Sequence, residues 1–248
     1  MKDKRILYVS SEVVPYLPET EIASTAFNVA KKAHSKGVQT RIFMPRFGVI
    51  NERRHQLHEV IRLSGMNLII NDMDMPLIIK VASIPKERMQ VYFIDNDERA
   101  IFFAKGVVET VKKLNWAPDI IHVHGWMASL LPLYIKEYYS DEPLFSESKI
   151  ITSVYNKDFE GELNSDLSEK IKFDKISDDK IQVLKEPNYT NIIKSAVSNS
   201  DAIVQGSQEI PEEISEEIEK TDIPALSYQE EDSFESYLNF YQELISEE

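Results

Sequence analysis

Residues 118–136, PDIIHVHGWMASLLPLYIK, constrain the fold more than any other part of the chain. They open with Asp119, Ile120 and Ile121, a short β-branched run suited to a strand covered on both faces. They close with residues 128–136, where apolar side chains are too crowded for alternation and fit a buried helix face. His122, His124, Gly125 and Trp126 lie between the two. In an open parallel sheet, ligands bind at the carboxyl end of a strand and the start of the next helix, so this junction is the first place to look for a site. The same residues admit a structural reading, in which Trp126 caps the core and nearby backbone satisfies the histidines.

The remaining segments fit around that centre. Residues 5–10 (RILYVS) form a compact apolar run that reads as a first buried strand, with residues 11–15 as the loop at its carboxyl end. Residues 20–36 are expected to be helical, with Ile22, Ala26, Val29, Ala30 and Ala33 on one stripe and Gly37 as the stop. Residues 39–44 read as the second strand, closed by Pro45, Arg46, Phe47 and Gly48; a strand–helix–strand opening is right-handed by default. Between 57 and 94 the pattern changes to short β-like runs at 57–63, 66–70, 77–83 and 91–94. They suggest an antiparallel excursion whose last run returns to the sheet. Residues 97–114 read as a helix with Ile101, Phe102, Ala104, Val108 and Val111 inward.

Past the central stretch, 149–154 reads as a buried strand, 156–187 as a long polar loop with broken helix, 191–198 as a short helix and 201–204 as a strand. Gly206 and Ser207 are expected to open the next helix, with Ile210, Ile214 and Ile218 at four-residue spacing. Asp232 and Glu235 form a capping pair ahead of a helix that lines Phe234, Leu238, Tyr241 and Ile245 on one face. Residues 221–231 are the candidate hinge, dividing the chain into a domain at 1–220 and a hinge with C-terminal helix at 221–248, packed back on it. The predicted class is α/β: a doubly wound parallel sheet of about seven strands, with a β excursion and a C-terminal helix.

Composition narrows the function. The 248 residues, 42% hydrophobic, suffice to bury a sizeable core. A net charge of −14 argues against nucleic acid and against an anionic membrane surface. With no cysteine, disulfides, thiolate nucleophiles and cysteine zinc sites are excluded. MKDKR leads directly into a strand too short for a signal sequence, and no run approaches the ~18 apolar residues of a membrane span, so a cytoplasmic protein is expected. No metal or cofactor is expected: His34, His55 and His58 read as surface residues, and Met66, Met73 and Met75 as core and loop filler.

Several short motifs recur in one order. Ser11-Glu12-Val13-Val14-Pro15 follows the first strand and Pro45-Arg46-Phe47-Gly48 the second. Asp95-Asn96 leads through Arg99 to Phe103, and Trp116-Ala117-Pro118-Asp119 precedes the central strand. Thr152-Ser153 is followed by Tyr155-Asn156 and Gly161, and Ser200-Asp201 runs on to Ser207. Together these resemble the N-terminal domain of bacterial glycogen and starch synthases, over about residues 5–218. The resemblance implies a Rossmann-like domain, one half of a GT-B fold, of a retaining glucosyltransferase that adds glucose from ADP-glucose to an α-1,4-glucan.

The departures bear on function as much as the matches. Where that family has Lys-Thr-Gly-Gly-Leu, this chain has Pro18, Glu19, Thr20, Glu21 and Ile22. A diphosphate cradle needs glycines for close backbone N–H groups and a lysine to offset charge, and two glutamates repel it. Met127 replaces a histidine that the resemblance implies bonds the transferred sugar, and Tyr155 replaces another. Nothing after Thr221 offers a further α/β unit, so the chain is expected to be inactive alone, needing a separate nucleotide-sugar-binding domain. Glu12, Arg46, His124, Trp126 and Asn156 remain as the candidate sugar crevice, with an α-glucan or maltooligosaccharide as ligand. The competing structural reading pairs Arg46 with Glu12 and uses Trp126 to cover the sheet edge. The competing functional reading is a non-catalytic glucan-binding or regulatory module.

Overall fold

The structure, a computed structural model, describes residues 1–95, 99–156, 159–230 and 234–246. Asn96 and Asp97, at the expected helix start, and Asp232 of the expected capping pair lie outside the described residues. The first strand–helix–strand unit comprises β1 (Arg5–Ser10), α1 (Glu21–Ser35) and β2 (Gln39–Pro45). Thr20 caps α1 by accepting the Ala23 N–H at 3.0 Å. The excursion follows as α2 (Glu52–His55), β3 (His58–Glu59), β4 (Met66–Ile70), β5 (Met73–Ser83) and β6 (Gln90–Asp95). Of the expected strand at 57–63, only two residues pair, because Val60 to Ser64 form turns back onto β5.

α3 (Arg99–Lys113) leads to β7 (Ile120–His124), whose five residues are all buried. The expected regular helix at 128–136 is instead three short pieces: a 3-10 turn at Trp126–Ala128, α4 (Leu131–Leu133) and a π-turn at Tyr134–Tyr138. Pro132 has no N–H to give, and the widened turn closes through Tyr139 N–H to Tyr134 C=O at 2.9 Å. β8 (Lys149–Val154) precedes α5 (Leu167–Phe173) and α6 (Asp178–Ile181), the broken helix of the polar segment. The chain then runs through α7 (Tyr189–Ser198), β9 (Ala202–Gln205), α8 (Glu212–Glu219), β10 (Ala225–Leu226) and α9 (Glu235–Ser246). Gly206 and Ser207 lie in a loop, and the helix starts only after Pro211, which cannot donate a backbone hydrogen bond.

The sheet runs β10-β9-β8-β7-β1-β2-β6-β5-β3, with β4 on β5. The pairings from β10 to β6 are all parallel, giving the doubly wound α/β core, and β5 joins it antiparallel. Alternate residues of β1 enter opposite layers: Leu7 and Val9 pack with α3, Ile6 and Tyr8 with α1 and α9. β10 extends the sheet from within the segment expected as a hinge. Among the described residues, no helix is long and apolar enough to cross a membrane.

Helix α9 buries Tyr237, Leu238, Phe240, Tyr241 and Leu244 beside α1. Its Tyr241 Oη lies 2.5 Å from His122 Nδ1 of the central strand. Tyr241→Ala is therefore expected to lower unfolding free energy by about 3–5 kcal/mol in urea titrations, while the exposed Gln242→Ala stays within about 0.5. Equal midpoints for the two variants would show that α9 does not belong to the core.

Candidate functional site

Chain direction across the sheet reverses between β1 and β7, since β1 is followed laterally by β2 on one side and by β7 on the other. At such a switch point the loops leaving neighbouring strands diverge and open a crevice. Here the two loops are joined at its base. Ser11 N–H donates to His124 C=O at 2.8 Å, and Ser11 Oγ accepts the Met127 N–H at 3.0 Å. Ser11, read from sequence as part of a motif, is absent from the candidate crevice residues, although its place directly after a buried strand was the available signal.

The rim is built from polar side chains that satisfy one another. Thr20 Oγ1, besides capping α1, donates to Glu12 Oε2 at 2.5 Å. Ser207 Oγ donates to Glu21 Oε2 at 2.5 Å and accepts the Asn156 N–H at 3.0 Å. These bonds link the loops after β1, β8 and β9 around the start of α1. A helix N-terminus favours negative charge, and here Glu21 supplies it from within the chain. Pro18, Thr20 and Glu21 are exposed, as is Asn156. Ser207 was missed as a site residue because its role depends on β9 lying beside β8.

The floor is aromatic and closed. His124 is fully buried, with Nδ1 2.8 Å from Tyr155 Oη. Tyr155, also buried, packs its ring on Gly206, where an added Cβ would come within 2.6 Å of it. His124 Nε2 is buried with no hydrogen-bond partner among the described residues. His122 lies beside it at 4.0 Å between ring centroids, with Nε2 2.8 Å from Ser153 Oγ. Met127 is buried, and Trp126 is half-buried with its ring centroid 5.1 Å from that of Phe159. Burial lowers the His124 pKa from 6.5 to about 3. Burial, and then the neighbouring His124, hold His122 well below the usual imidazole range.

Arg46 stands in a separate cluster. Its Nε and Nη2 donate to Glu52 Oε1 at 2.9 and 2.6 Å, and Lys80 Nζ donates to the same oxygen at 2.7 Å. Asp95 completes the group, 3.7 Å from Arg46 and 3.4 Å from Lys80. The expected structural partner, Glu12, is engaged by Thr20 instead. The Lys80 and Arg46 hydrogen bonds hold the Glu52 carboxyl below the usual carboxylate range. The structure thus joins Glu12, Thr20, Glu21 and Asn156 at the rim, places His124, Met127 and Tyr155 beneath, and commits Arg46 to carboxylates.

A sequence profile of the starch synthase catalytic domain matches residues 5–225. The chain is 30% identical to a glycogen synthase of Chlorobium luteolum over 235 residues, covering 86% of this chain and 47% of the relative. It is 33% identical to the glycogen synthase of Chlorobaculum tepidum over 174 residues, covering 61% of this chain and 36% of that one. In fold it is similar to the catalytic domain of starch synthase IV from Arabidopsis thaliana, solved bound to ADP and acarbose. That likeness has a TM-score of 0.67 at 14% identity, over 82% of this chain and 45% of the plant chain. The chain spans about half the length of the curated relatives it matches.

The buried imidazoles make stability depend on acid. A histidine held neutral in the fold binds fewer protons folded than unfolded, so its contribution is complete above pH 6.5 and is lost as pH falls below it. Each such histidine is expected to cost about 1 kcal/mol between pH 6.5 and about 5.5. In urea unfolding at the two pH values, His124→Gln should lose about 1 kcal/mol less than the wild type across that interval, whatever its absolute stability. Identical losses would mean that His124 takes up its proton in the native state as readily as in the unfolded chain.

Proposed function

The chain belongs to the starch synthase catalytic domain family, and on that footing we propose that it provides the glucan-binding part of a glycogen- or starch-synthase-type glucosyltransferase without transferring glucose by itself. One observation carries the reading: the rim around the start of α1 is closed by the chain's own carboxylates. Glu12 and Glu21 accept hydrogen bonds from Thr20 and Ser207, in the place where the family resemblance calls for a lysine and paired glycines. A nucleotide diphosphate approaching there meets like charge and bulk in place of backbone N–H groups. ADP, the nucleotide held by the plant relative, therefore has poor electrostatic support in this chain.

A neutral sugar makes no such demand. It needs an aromatic face and a few hydrogen-bonding groups, which Trp126 beside Phe159, the exposed Asn156 and the rim carboxylate of Glu12 supply. The activity of a complete transferase would then come from association with a nucleotide-sugar-binding domain. A second reading, a regulatory glucan-binding module without any catalytic partner, draws on Met127 and Tyr155: both are buried, and Tyr155 Oη engages His124 Nδ1 at 2.8 Å.

Calorimetric titration is expected to show weak maltooligosaccharide binding and still weaker binding of ADP and ADP-glucose. Trp126→Ala should reduce the saccharide affinity at least tenfold, as should Asn156→Ala to a smaller degree, while Glu19→Gln leaves it unchanged. Labelled glucose from ADP-glucose should not enter glycogen above a boiled control. Tighter binding of ADP than of maltooligosaccharide, or robust incorporation, would overturn the proposal.

A further inference from the structure

A second concavity lies beside β2 and β6, between their amino-terminal ends and the segments that follow β1 and β2. It measures about 640 Å³, within the range of small-molecule sites. Its walls come from the loop after β1, from α2, from the last turn of α1 and from the strand ends at Thr40, Ser83 and Gln90. The chain as a whole carries a charge of −14, yet this cleft is lined by Arg41, Arg54, Lys86 and Arg88 together with His34 and His55. No Asp or Glu is among its lining residues.

No carboxylate among the described residues neutralises this positive charge. Among the described residues, Arg41, Arg54, Lys86 and Arg88 form no ion pair with a carboxylate, whereas the chain's other lysines and arginines supply 17 such contacts. Glu87, between Lys86 and Arg88 in sequence, is drawn away to Lys31 at 2.8 Å. Arg41 has aromatic rather than acidic neighbours, its guanidinium carbon lying 4.7 Å from the Trp116 ring centroid and 5.7 Å from that of Tyr92. Burial, with repulsion from Arg5 and Arg62, lowers its pKa.

An unpaired donor coincides with this cleft. Among the described residues, six buried side-chain nitrogen or oxygen atoms have no hydrogen-bond partner, and one of them, Tyr16 Oη, lies in the layer that walls the cleft, whereas Arg41 Nη1 lies in the opposite layer with Trp116. Tyr16 is only 5% exposed and is held between Phe93 and His55, with ring centroids at 4.8 and 5.1 Å. Buried donors of this kind are normally matched by an acceptor. Planar guanidinium groups with a hydroxyl donor suit a compact oxyanion with several acceptor oxygens, and two arginines beside a lysine exceed what one carboxylate can engage. Extended nucleic acid is disfavoured by the acidic remainder of the surface.

We propose that this cleft is a binding site for a phosphate-bearing small molecule, separate from the sugar crevice. Arg54 and Arg88, both exposed, hold the phosphoryl oxygens at the mouth, and Tyr16 meets the anion deeper in. Thr40, Gln56 and Gln90 offer neutral hydrogen bonds to the remainder of the ligand.

Inorganic phosphate and pyrophosphate are the probes, titrated calorimetrically into the full chain against sodium chloride at matched ionic strength. Both should bind, pyrophosphate more tightly, and raise the melting temperature. Arg54→Gln combined with Arg88→Gln should weaken pyrophosphate at least tenfold with an unchanged melt in the absence of ligand. Tyr16→Phe, which removes one hydroxyl and keeps the ring, should weaken it about threefold. Arg53→Gln, an exposed neighbour outside the cleft, should bind as the wild type does. No binding by the wild type beyond chloride, undiminished binding by the double variant, or an equal loss in Arg53→Gln would each overturn the assignment. Maltooligosaccharide binding provides the independent control, since it reads the other crevice.

Discussion

The structure depends on keeping two imidazoles neutral inside the central strand. His122 and His124 are fully buried on β7, and an unpaired charge there would cost several kcal/mol. His122 avoids that cost by sharing hydrogen bonds with Ser153 of β8 and Tyr241 of α9, so one side chain joins the sheet to a helix 119 residues away in sequence. His124 uses one nitrogen toward Tyr155, and Tyr155 in turn requires the missing side chain of Gly206. The order of the floor, the position of the C-terminal helix and the shape of the loop after β9 therefore rest on the same buried polar group.

A second buried pair plays a comparable part on the opposite layer. Lys105 of α3 contacts Asp174 at 2.6 Å with both side chains almost fully buried, and also donates to the Ile69 carbonyl at 2.8 Å. Tyr134 donates to the other Asp174 oxygen at 2.7 Å. Each charge is thus solvated by protein, the condition under which a buried ion pair is tolerated. The contacts bind the excursion, the π-turn and the end of α5 together, which explains how so polar a segment as 156–187 is held against the core through Leu167, Ile171, Ile181 and Leu184.

Charge divides the surface into two kinds of site. At the switch point, carboxylates are paired with hydroxyls. In the cleft beside β2 and β6, Arg54 and Arg88 have no carboxylate partner among the described residues. Proteins of the starch synthase family present a positive, glycine-rich surface at the first position according to the resemblance; in this chain the positive surface lies at the second.

What the sequence determined was whatever depends on local periodicity and buried pattern. β1, β2, β7 and β8, α1, and the return of residues 91–94 to the sheet were legible, because continuous β-branched runs and a 3.6-residue stripe have few other stable outcomes. The switch-point junction at His124 and Gly125 was legible for the same reason. Tertiary structure alone decided which polar groups meet. Arg46 chose Glu52 over Glu12, Ser207 joined Glu21 across 186 residues, and Tyr241 reached His122. The cationic cleft arises only when five separated segments converge, so no single window of sequence displays it. Hydrogen bonds and ion pairs act over a few ångströms in space without regard to chain separation, whereas the sequence records only neighbours along the chain.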